Sequence, residues 1–231
     1  MAIGQKRSIR SYVLRQGRMT EAQKNSITTL MPKYGINLDE LNDRKFDFTS
    51  IFGRKSDTIL EIGFGMGQSL AQMALDNPDT NYLGIEVHQP GVGRLMNQLE
   101  TDEIKNVRLL NEDAVLILKK YVEDKSLSGV QIFFPDPWPK KKHNKRRIIQ
   151  SEFIKHIIGK LKPGGFIHVA TDWAPYAEHI IEVLNNESGL SSGEESSLKH
   201  HLVGSRPDTR FENRGKKLGH AICDVVYIRN N

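Results

Sequence analysis

Short apolar runs alternate with segments of helical periodicity along most of this chain. The run 58–62 (T-I-L-E-I) is short and contains β-branched residues, which is typical of a buried strand. The alternation predicts strands at 58–62, 81–87, 107–110, 130–134 and 166–170, and helices at 68–76, 90–100, 113–122, 147–161 and 173–185. Strands separated by helices are typical of βαβ units, so the pattern predicts an α/β fold with a parallel sheet.

The segment before the first strand is predicted to be partly helical. Thr20 and Gln23 have the spacing of a capping box, which predicts a helix over 21–31 that stops at Pro32. Residues 1–19 contain five basic residues and no acid. We therefore expect a basic arm, with a merely solubilising tail as the alternative.

The C-terminal part departs from the alternation. Residues 163–165 (P-G-G) predict a turn before the fifth strand. Residues 187–197 are polar and rich in glycine and serine, which predicts an irregular connection. The apolar run 221–228 follows no predicted helix, so we expect a strand there that pairs antiparallel with a segment near 198–203.

A glycine-rich turn follows the first strand. Gly63, Gly65 and Gly67 lead into the predicted helix, where a ligand could lie close to backbone N–H groups. Glu86 stands at the end of the second strand, about 20 residues after Gly67, which is the offset at which an acid binds a ribose diol. Glycines alone could serve a tight turn without a ligand, but Glu86 favours a nucleoside cofactor site.

The turn differs from the two common phosphate-binding loops. Gln68 stands where a dinucleotide fingerprint has its third glycine, and no Gly-Lys-Ser/Thr tripeptide follows as in an ATP-binding loop. Glu61 stands two residues before Gly63, where its charge would repel a pyrophosphate. These features favour a ligand that lacks phosphate and carries a positive ammonium or sulfonium group. S-adenosylmethionine is such a ligand.

Composition limits the class of protein. The 231 residues are 38% hydrophobic, which suits one α/β domain, and no apolar run approaches the ~18 residues of a membrane span. The N-terminus lacks a signal-peptide pattern, so we expect a cytoplasmic protein with no membrane partner. Cys223 is the single cysteine, and the histidines show no helical metal-binding pair. We therefore expect no metal, no disulfide framework, and a monomer or weak homodimer.

Acidic residues follow consecutive predicted strands. Besides Glu61 and Glu86, they are Asp113, Asp136 and Asp172. Because ligands bind at the carboxyl ends of strands in an open parallel sheet, we expect these acids near the cofactor. Asp113 could equally be the N-cap of the helix that it precedes.

Prolines surround the fourth of these acids in the segment 133–139 (F-F-P-D-P-W-P). Proline fixes φ and restricts the residue before it, so Asp136 is expected on a stiff loop. Trp138 offers a flat face on which a base could stack. The alternative is a rigid structural turn with a packed tryptophan, but the position beside the predicted cofactor site favours a functional role.

Basic residues are concentrated in a few segments. The net charge of +5 and the pI of about 9.2 therefore point to a polyanionic partner. Residues 140–147 contain six cations in eight positions, which as a lone run would be a solvated face. Their place directly after Asp136 and Trp138 instead favours contact with phosphates. Residues 206–217 mix cations, Phe211 and hydrogen-bonding groups, which suits holding a base and its backbone.

Several motifs together resemble those of the bacterial tRNA (guanine-N7)-methyltransferases, which are class I S-adenosylmethionine-dependent enzymes. The motifs are R-S-Y-V-L-R-Q-G-R-M-T within 8–20, I-L-E-I-G-F-G-M-G, G-I-E-V-H, P-D-P-W-P-K-K-K-H-N-K-R-R, A-T-D-W and T-R-F-E. They span nearly the full length in the family's order, and P-D-P-W-P-K and T-x-F-E are the most specific. Arg210 stands where the family more often has lysine, which keeps the cation but alters its contact geometry.

The resemblance implies a Rossmann-like, mostly parallel seven-stranded sheet with one antiparallel strand and helices on both faces. It implies a basic arm and helix at 1–32, a methyltransferase domain at 33–231, and methylation of N7 of guanosine 46 in the variable loop of tRNA. Asp136 would be catalytic and lie beside the methyl group. The implied cofactor-binding residues are Glu61, Gly63, Gly65, Gly67, Glu86, Asp113 and Asp136. The implied substrate-binding residues are Lys140, Asp172, Thr209, Arg210, Phe211 and Glu212, and the implied RNA-binding residues are Lys142, His143, Asn144, Lys145, Arg146 and Arg147.

The chemistry of guanine N7 methylation agrees with the candidate site residues. Guanine N7 already has a lone pair, so its methylation needs no strong base, and rate should come mainly from positioning. A carboxylate such as Asp136 can favour the cationic product. One rival interpretation is a non-catalytic RNA-binding protein with a degenerate fold, which the intact glycine turn and Glu86 argue against. Another is a methyltransferase for small molecules or proteins, which the cation runs argue against.

Overall fold

The computed structural model describes residues 11–12, 18–194, 198, 206–207, 212 and 221–231. Within these residues, seven strands form one sheet in the order β3-β2-β1-β4-β5-β7-β6. The strands are β1 Thr58–Ile62, β2 Asn81–Ile85, β3 Val107–Leu110, β4 Leu127–Phe133, β5 Leu161–Thr171, β6 Leu190–Gly193 and β7 Cys223–Arg229. The helices are α1 Glu21–Tyr34, α2 Phe48–Phe52, α3 Gln68–Asp76, α4 Gln89–Thr101, α5 Ala114–Lys120, α6 Ser151–Lys160 and α7 Ala174–Asn185, and short 3₁₀ helices lie at Asp39–Leu41 and Lys141–Arg146.

The sheet is parallel except around β7, which runs antiparallel to both of its neighbours, β5 and β6. The predicted fold class, with a single antiparallel strand in a seven-stranded sheet, is therefore confirmed. The chain moves outward from β1 to β3 and then returns to β4 on the other side of β1. The carboxyl ends of β1 and β4 therefore meet at a topological switch point, where open α/β sheets bind their ligands.

Helices cover both faces of the sheet. Side chains alternate along each strand, so each face presents apolar residues against which helices pack. Leu60 and Ile62 pack in a core with residues of α5, α6 and α7. Ile59 points to the opposite face and packs with residues of α1, α3 and α4. The predicted arrangement of helices on both faces is confirmed.

Helix α1 begins as predicted but ends later. Gln23 N–H donates to Thr20 Oγ1 at 3.2 Å and Thr20 N–H donates to Gln23 Oε1 at 2.9 Å, which confirms the capping box. The helix then continues through Pro32 to Tyr34, so the predicted stop is wrong. A proline in the last turn removes one hydrogen bond, and the buried Tyr34, which donates to Glu100 of α4 at 2.8 Å, holds the turn in place.

Three predictions in the second half are also wrong. Strand β6 lies inside 187–197, where an irregular connection was predicted, and it pairs antiparallel with β7 on the side opposite β5. The segment 198–203, predicted as the partner of β7, lies outside the described residues except for Leu198. An edge strand is held mainly by backbone pairing and buries few side chains. In β6 only Leu190 is buried, so the sequence has no alternating apolar pattern that would predict a strand. The predicted turn at 163–165 is an irregularity within β5, where Gly164 has a φ of 75°. Helix α6 begins at Ser151 because the basic residues before it form a separate 3₁₀ helix.

Candidate active site

The glycine turn between β1 and α3 adopts a backbone that requires glycine. Gly63, Gly65 and Gly67 have φ values of 76°, 58° and 79°. Their N–H groups all donate within the protein, to Ile85 O at 2.8 Å, to Glu86 Oε2 at 2.8 Å and to Phe64 O at 2.9 Å, respectively. Because these three amides are used internally, they are not available to a pyrophosphate. The glycine amides therefore favour a cofactor that has no phosphate.

Glu86 shapes the same turn from the end of β2. Its Oε2 accepts from Gly65 N–H and its Oε1 accepts from His88 N–H, each at 2.8 Å. The side chain is buried, yet it lies on the wall of the cavity described below. Glu86 therefore fixes the turn against the start of α4, and its predicted role at the ribose stays a prediction.

Glu61 lies beneath the turn instead of in the cavity. Its side chain is fully buried, Ser69 Oγ donates to its Oε1 at 3.5 Å, and its Oε2 has no hydrogen-bond partner among the described residues. Burial raises the pKa of Glu61 to about 8, so most of it is protonated at neutral pH. A neutral acid neither repels a pyrophosphate nor attracts a sulfonium. The charge argument drawn from Glu61 does not hold in this structure, and the internally bonded amides replace it.

Asp113 has the N-cap role weighed from the sequence, and its predicted place near the cofactor stays a prediction. Its Oδ1 accepts from Val115 N–H at 2.8 Å, which makes it the N-cap of α5, and it also lines the cavity. Tyr12 Oη donates to its Oδ2 at 3.3 Å. Ser11 and Tyr12 of the N-terminal segment thus line the site. Both belong to a motif quoted above, but no contact with the site was predicted for them.

The loop after β4 presents Asp136 to the cavity. Phe134 and Trp138, on either side of the Pro-Asp-Pro sequence, have φ values of 51° and 44°, which are rare for residues with side chains. Asp136 itself is exposed and lines the cavity. Strained non-glycine backbone of this kind persists only where the surroundings hold it, and it is typical of functional loops.

Trp138 is packed against its own chain. Its Nε1–H donates to Ser11 O at 3.1 Å, and the Arg146 guanidinium lies 3.7 Å from its ring centroid. Arg146 also donates to Tyr12 O at 3.1 Å. One face of the indole is therefore covered by Arg146, and both residues hold the N-terminal segment beside the site.

Arg147 is placed in the interior, away from the RNA-binding surface predicted for it. It is 6% exposed, its Nε donates to Pro137 O at 2.9 Å, and its guanidinium lies 4.8 Å from the Tyr176 ring centroid. The sequence alone does not distinguish the buried Arg147 from the exposed cations of residues 140–147. We therefore reassign Arg147 from phosphate contact to support of the Asp136 loop.

The other predicted RNA-binding residues lie on or beside the 3₁₀ helix that follows this loop. Lys142 and Lys145 are exposed, and His143 and Asn144 are partly buried. Lys140, which was predicted to bind the substrate, is exposed directly before this helix. Partial burial, followed by the positive charges of neighbouring lysines and Arg146, lowers the pKa of His143. Pro139, just before the basic 3₁₀ helix, lines the cavity described below, whereas the residues of this helix do not.

Two predicted substrate-binding positions can be placed further along the sheet edge. Asp172 lies two residues beyond Ala170, which is in register with Phe133, so it shares the edge with the Asp136 loop. Glu212 is buried and pairs with Arg206. Thr209, Arg210 and Phe211 lie outside the described residues.

A cavity of about 630 Å³ opens at the switch point. Five predicted residues line it, namely Gly63, Gly65, Glu86, Asp113 and Asp136. Residues for which no binding role was predicted complete the wall, among them Ser11, Tyr12, Ile62, Val87, His88, Glu112, Phe133, Phe134 and Ile148. The volume and the apolar wall with a few convergent acids suit a nucleoside-sized ligand.

Known proteins match this chain over nearly its full length. A methyltransferase family model matches residues 55–225. A tRNA (guanine-N(7)-)-methyltransferase from Legionella pneumophila is 50% identical over 225 residues, which cover 97% of this chain and 94% of that protein. The enzyme of the same name from Hydrogenovibrio crunogenus is 48% identical over 97% of this chain and 92% of its own length. The chain belongs to the tRNA (guanine-N7)-methyltransferase family.

Solved structures share the fold of this tRNA (guanine-N7)-methyltransferase family member at low identity. The 16S rRNA methyltransferase KamB superposes with a TM-score of 0.56 at 12% identity, over 80% of this chain and 93% of that one. The Haemonchus contortus phosphoethanolamine N-methyltransferase 2 in complex with S-adenosyl-L-methionine gives 0.50 at 14%, over 91% and 56%. These likenesses confirm the class I methyltransferase fold.

The described residues contain no helix of the length and apolarity that a bilayer crossing needs. The same part of the chain holds no group of three or more histidine, cysteine, aspartate or glutamate side chains arranged to bind a metal ion.

Proposed function

We propose that this chain transfers the methyl group of S-adenosylmethionine to N7 of guanine 46 in the variable loop of tRNA. The observation that carries the proposal is the cavity at the switch point, which the glycine turn, Glu86, Asp113 and Asp136 line together. The names of the close relatives support tRNA guanine N7 as the acceptor. A relative of the same fold that was crystallised with S-adenosyl-L-methionine supports the donor.

The residues of the cavity fit this donor. A Cβ added at Gly63 or Gly65 would meet nothing within 4 Å, so open space lies directly against the turn. Glu86 would hold the ribose hydroxyls while keeping the turn in place, and Asp113 would lie near the adenine. When bound, the cofactor supplies an electrophilic methyl group on a positively charged sulfur.

The protein's own contribution is mainly positional. Guanine N7 would be held in line with the methyl group at about 3 Å, and no side chain is required to take a proton from N7. Asp136 would lie beside the reacting atoms, where its charge favours the positive charge that develops on the guanine ring. The exposure of Asp136 on its loop supports access of a base in folded RNA to this carboxylate.

The basic surface would bind the tRNA backbone. We propose that Lys140, Asp172 and residues 209–211 hold the target nucleotide, and that the lysines of 141–145 contact phosphates. Residues 1–32 would form a basic arm and helix in front of a catalytic domain at 33–231. We further propose a cytoplasmic enzyme, monomeric or weakly dimeric, whose affinity for tRNA falls steeply with salt.

A labelling experiment tests this function. The protein is incubated with radiolabelled S-adenosylmethionine and bulk bacterial tRNA, and the modified base is mapped by nuclease digestion and mass spectrometry. We expect 7-methylguanine at position 46 and no labelling of a transcript in which guanosine 46 is replaced by adenosine. Label at another position would refute the assigned nucleotide, and tRNA without any label would refute the function.

A further inference from the structure

Arg206 lies in the interior between two carboxylates, although its sequence context suggested a residue that holds RNA. Its Nε and Nη2 donate to Asp224 Oδ1 and Oδ2 at 2.6 and 2.8 Å, and its Nη1 donates to Glu212. The side chains of Arg206 and Glu212 are only 5% and 7% exposed. A guanidinium this enclosed cannot contact a phosphate on the surface, so it serves the protein's own structure.

This cluster reaches the end of β4, directly before the Asp136 loop. The guanidinium carbon of Arg206 lies 5.5 Å from the ring centroids of both Phe133 and Phe134. His168 Nε2 lies 2.8 Å from Asp224 Oδ1, and the His168 ring meets the Phe133 ring edge-on at 5.0 Å. Arg206 therefore touches, at the same time, the residue Glu212 and the two aromatic residues that lead into the loop.

The charges explain why an arginine is needed here. Burial lowers the pKa of Arg206, but the hydrogen bonds to Asp224 and Glu212 outweigh burial and raise the pKa above its ordinary value. The guanidinium is therefore charged throughout the working pH range. Its planar fork binds Asp224 through two parallel hydrogen bonds and still has an N–H for Glu212, a geometry that the single ammonium of lysine cannot reproduce.

We propose that Arg206 is a positioning residue for methyl transfer: it locks Glu212 and β7 against Phe133 and Phe134, and so fixes the direction in which the Asp136 loop leaves the sheet. The proposal rests on the proposed function. Phe134 has a left-handed backbone that only its surroundings maintain, and its N–H is held by Ala170 O at 2.7 Å. Because the prolines make the loop stiff, a change of direction at Phe134 displaces Asp136 as well.

The test compares Arg206→Lys with Arg229→Lys. Arg229 lies on the same strand β7, is partly buried and donates to Leu161 O, so it is a matched control away from the cavity. We expect both variants to lose thermal stability. In Arg206→Lys alone, the single-turnover rate at saturating tRNA and cofactor should fall by tenfold or more, about the effect of a displacement on the order of 1 Å. Its dissociation constant for S-adenosylmethionine should stay within twofold of that of the wild type.

Hydrogen exchange gives a readout that does not depend on activity. We expect the peptide that covers 131–139 to exchange faster in Arg206→Lys than in Arg229→Lys or the wild type. Equal exchange of this peptide in the two variants, or an equal loss of rate, would overturn the positioning role and leave Arg206 as general structural support. If the wild type methylates no tRNA, the proposed function fails, while the exchange comparison still decides whether Arg206 controls the loop.

Discussion

The substitution Glu61→Gln should make this enzyme more stable at neutral pH. The folded chain keeps a proton on the buried Glu61 up to a pKa of about 8, whereas the ordinary value for the unfolded chain is 4.5. The unfolded state therefore releases a proton as the pH rises between these values, and each rise favours unfolding. Glutamine has the shape of the protonated acid and carries no such penalty.

The size of the effect follows from the two pKa values. Between pH 4.5 and pH 7, a span of about 2.5 pH units, ionisation of Glu61 stabilises the unfolded state relative to the folded state by about 3 kcal/mol, at 1.36 kcal/mol per unit. The difference between variant and wild type should shrink to about 1 kcal/mol or less at pH 5, because little of the unfolded-state ionisation remains there. The advantage of glutamine is therefore a function of pH, which separates it from a simple packing effect.

Urea unfolding at pH 5, 6, 7 and 8, followed by tryptophan fluorescence, measures this difference. The exposed Glu123→Gln is the control and should leave the unfolding free energy unchanged at every pH. A Glu61→Gln variant that is no more stable than the wild type at pH 7, or equally more stable at pH 5 and pH 7, would refute the reasoning. An acid that destabilises the folded state is best explained by a functional need. Titration of S-adenosylmethionine against the wild type and Glu61→Gln therefore tests the cofactor-binding prediction for Glu61 separately.

Three further predictions concern the site itself. Asp136→Ala should abolish methyl transfer in a single-turnover assay while tRNA affinity in a filter-binding assay stays within a few-fold; unchanged turnover would remove Asp136 from the mechanism. Glu86→Ala should leave the N–H groups of Gly65 and His88 without their acceptor and raise the cofactor dissociation constant by tenfold or more, at about 1–3 kcal/mol for each lost acceptor; an unaltered constant would show that the turn holds without it. Replacing the lysines of 141–145 by glutamine, with Arg146 kept because it supports the N-terminal segment, should weaken tRNA binding and flatten its salt dependence; an unaffected slope would make the run a solvated face.

The sequence was informative where local chemistry decides the structure. The positions of β1, α3 and β3 follow from short apolar runs and a glycine turn, and the N-cap of α5 follows from Asp113. In each case the residues that specify the element are neighbours in the chain. The same holds for the family motifs, which lie in the order that the fold requires.

The rest depends on partners that are distant in the chain. Arg147 and its exposed lysine neighbours carry the same charge, and only the fold shows that Arg147 binds Pro137 inside the protein. In the same way, only the ion pairs with Asp224 and Glu212 show that Arg206 binds inside the protein. Glu61 is likewise protonated because it is buried under the turn. The extent of this burial cannot be predicted from the position of Glu61 in a motif.

Strand β7 has a consequence for anyone who engineers this protein. It lies between β5 and β6, and β6 pairs with β7 alone among the described strands. Removing 223–231 would therefore strip two strands at once and leave the long β5 with an open backbone edge, which invites self-association into insoluble material. Affinity tags are better attached through a flexible spacer than grafted onto this segment.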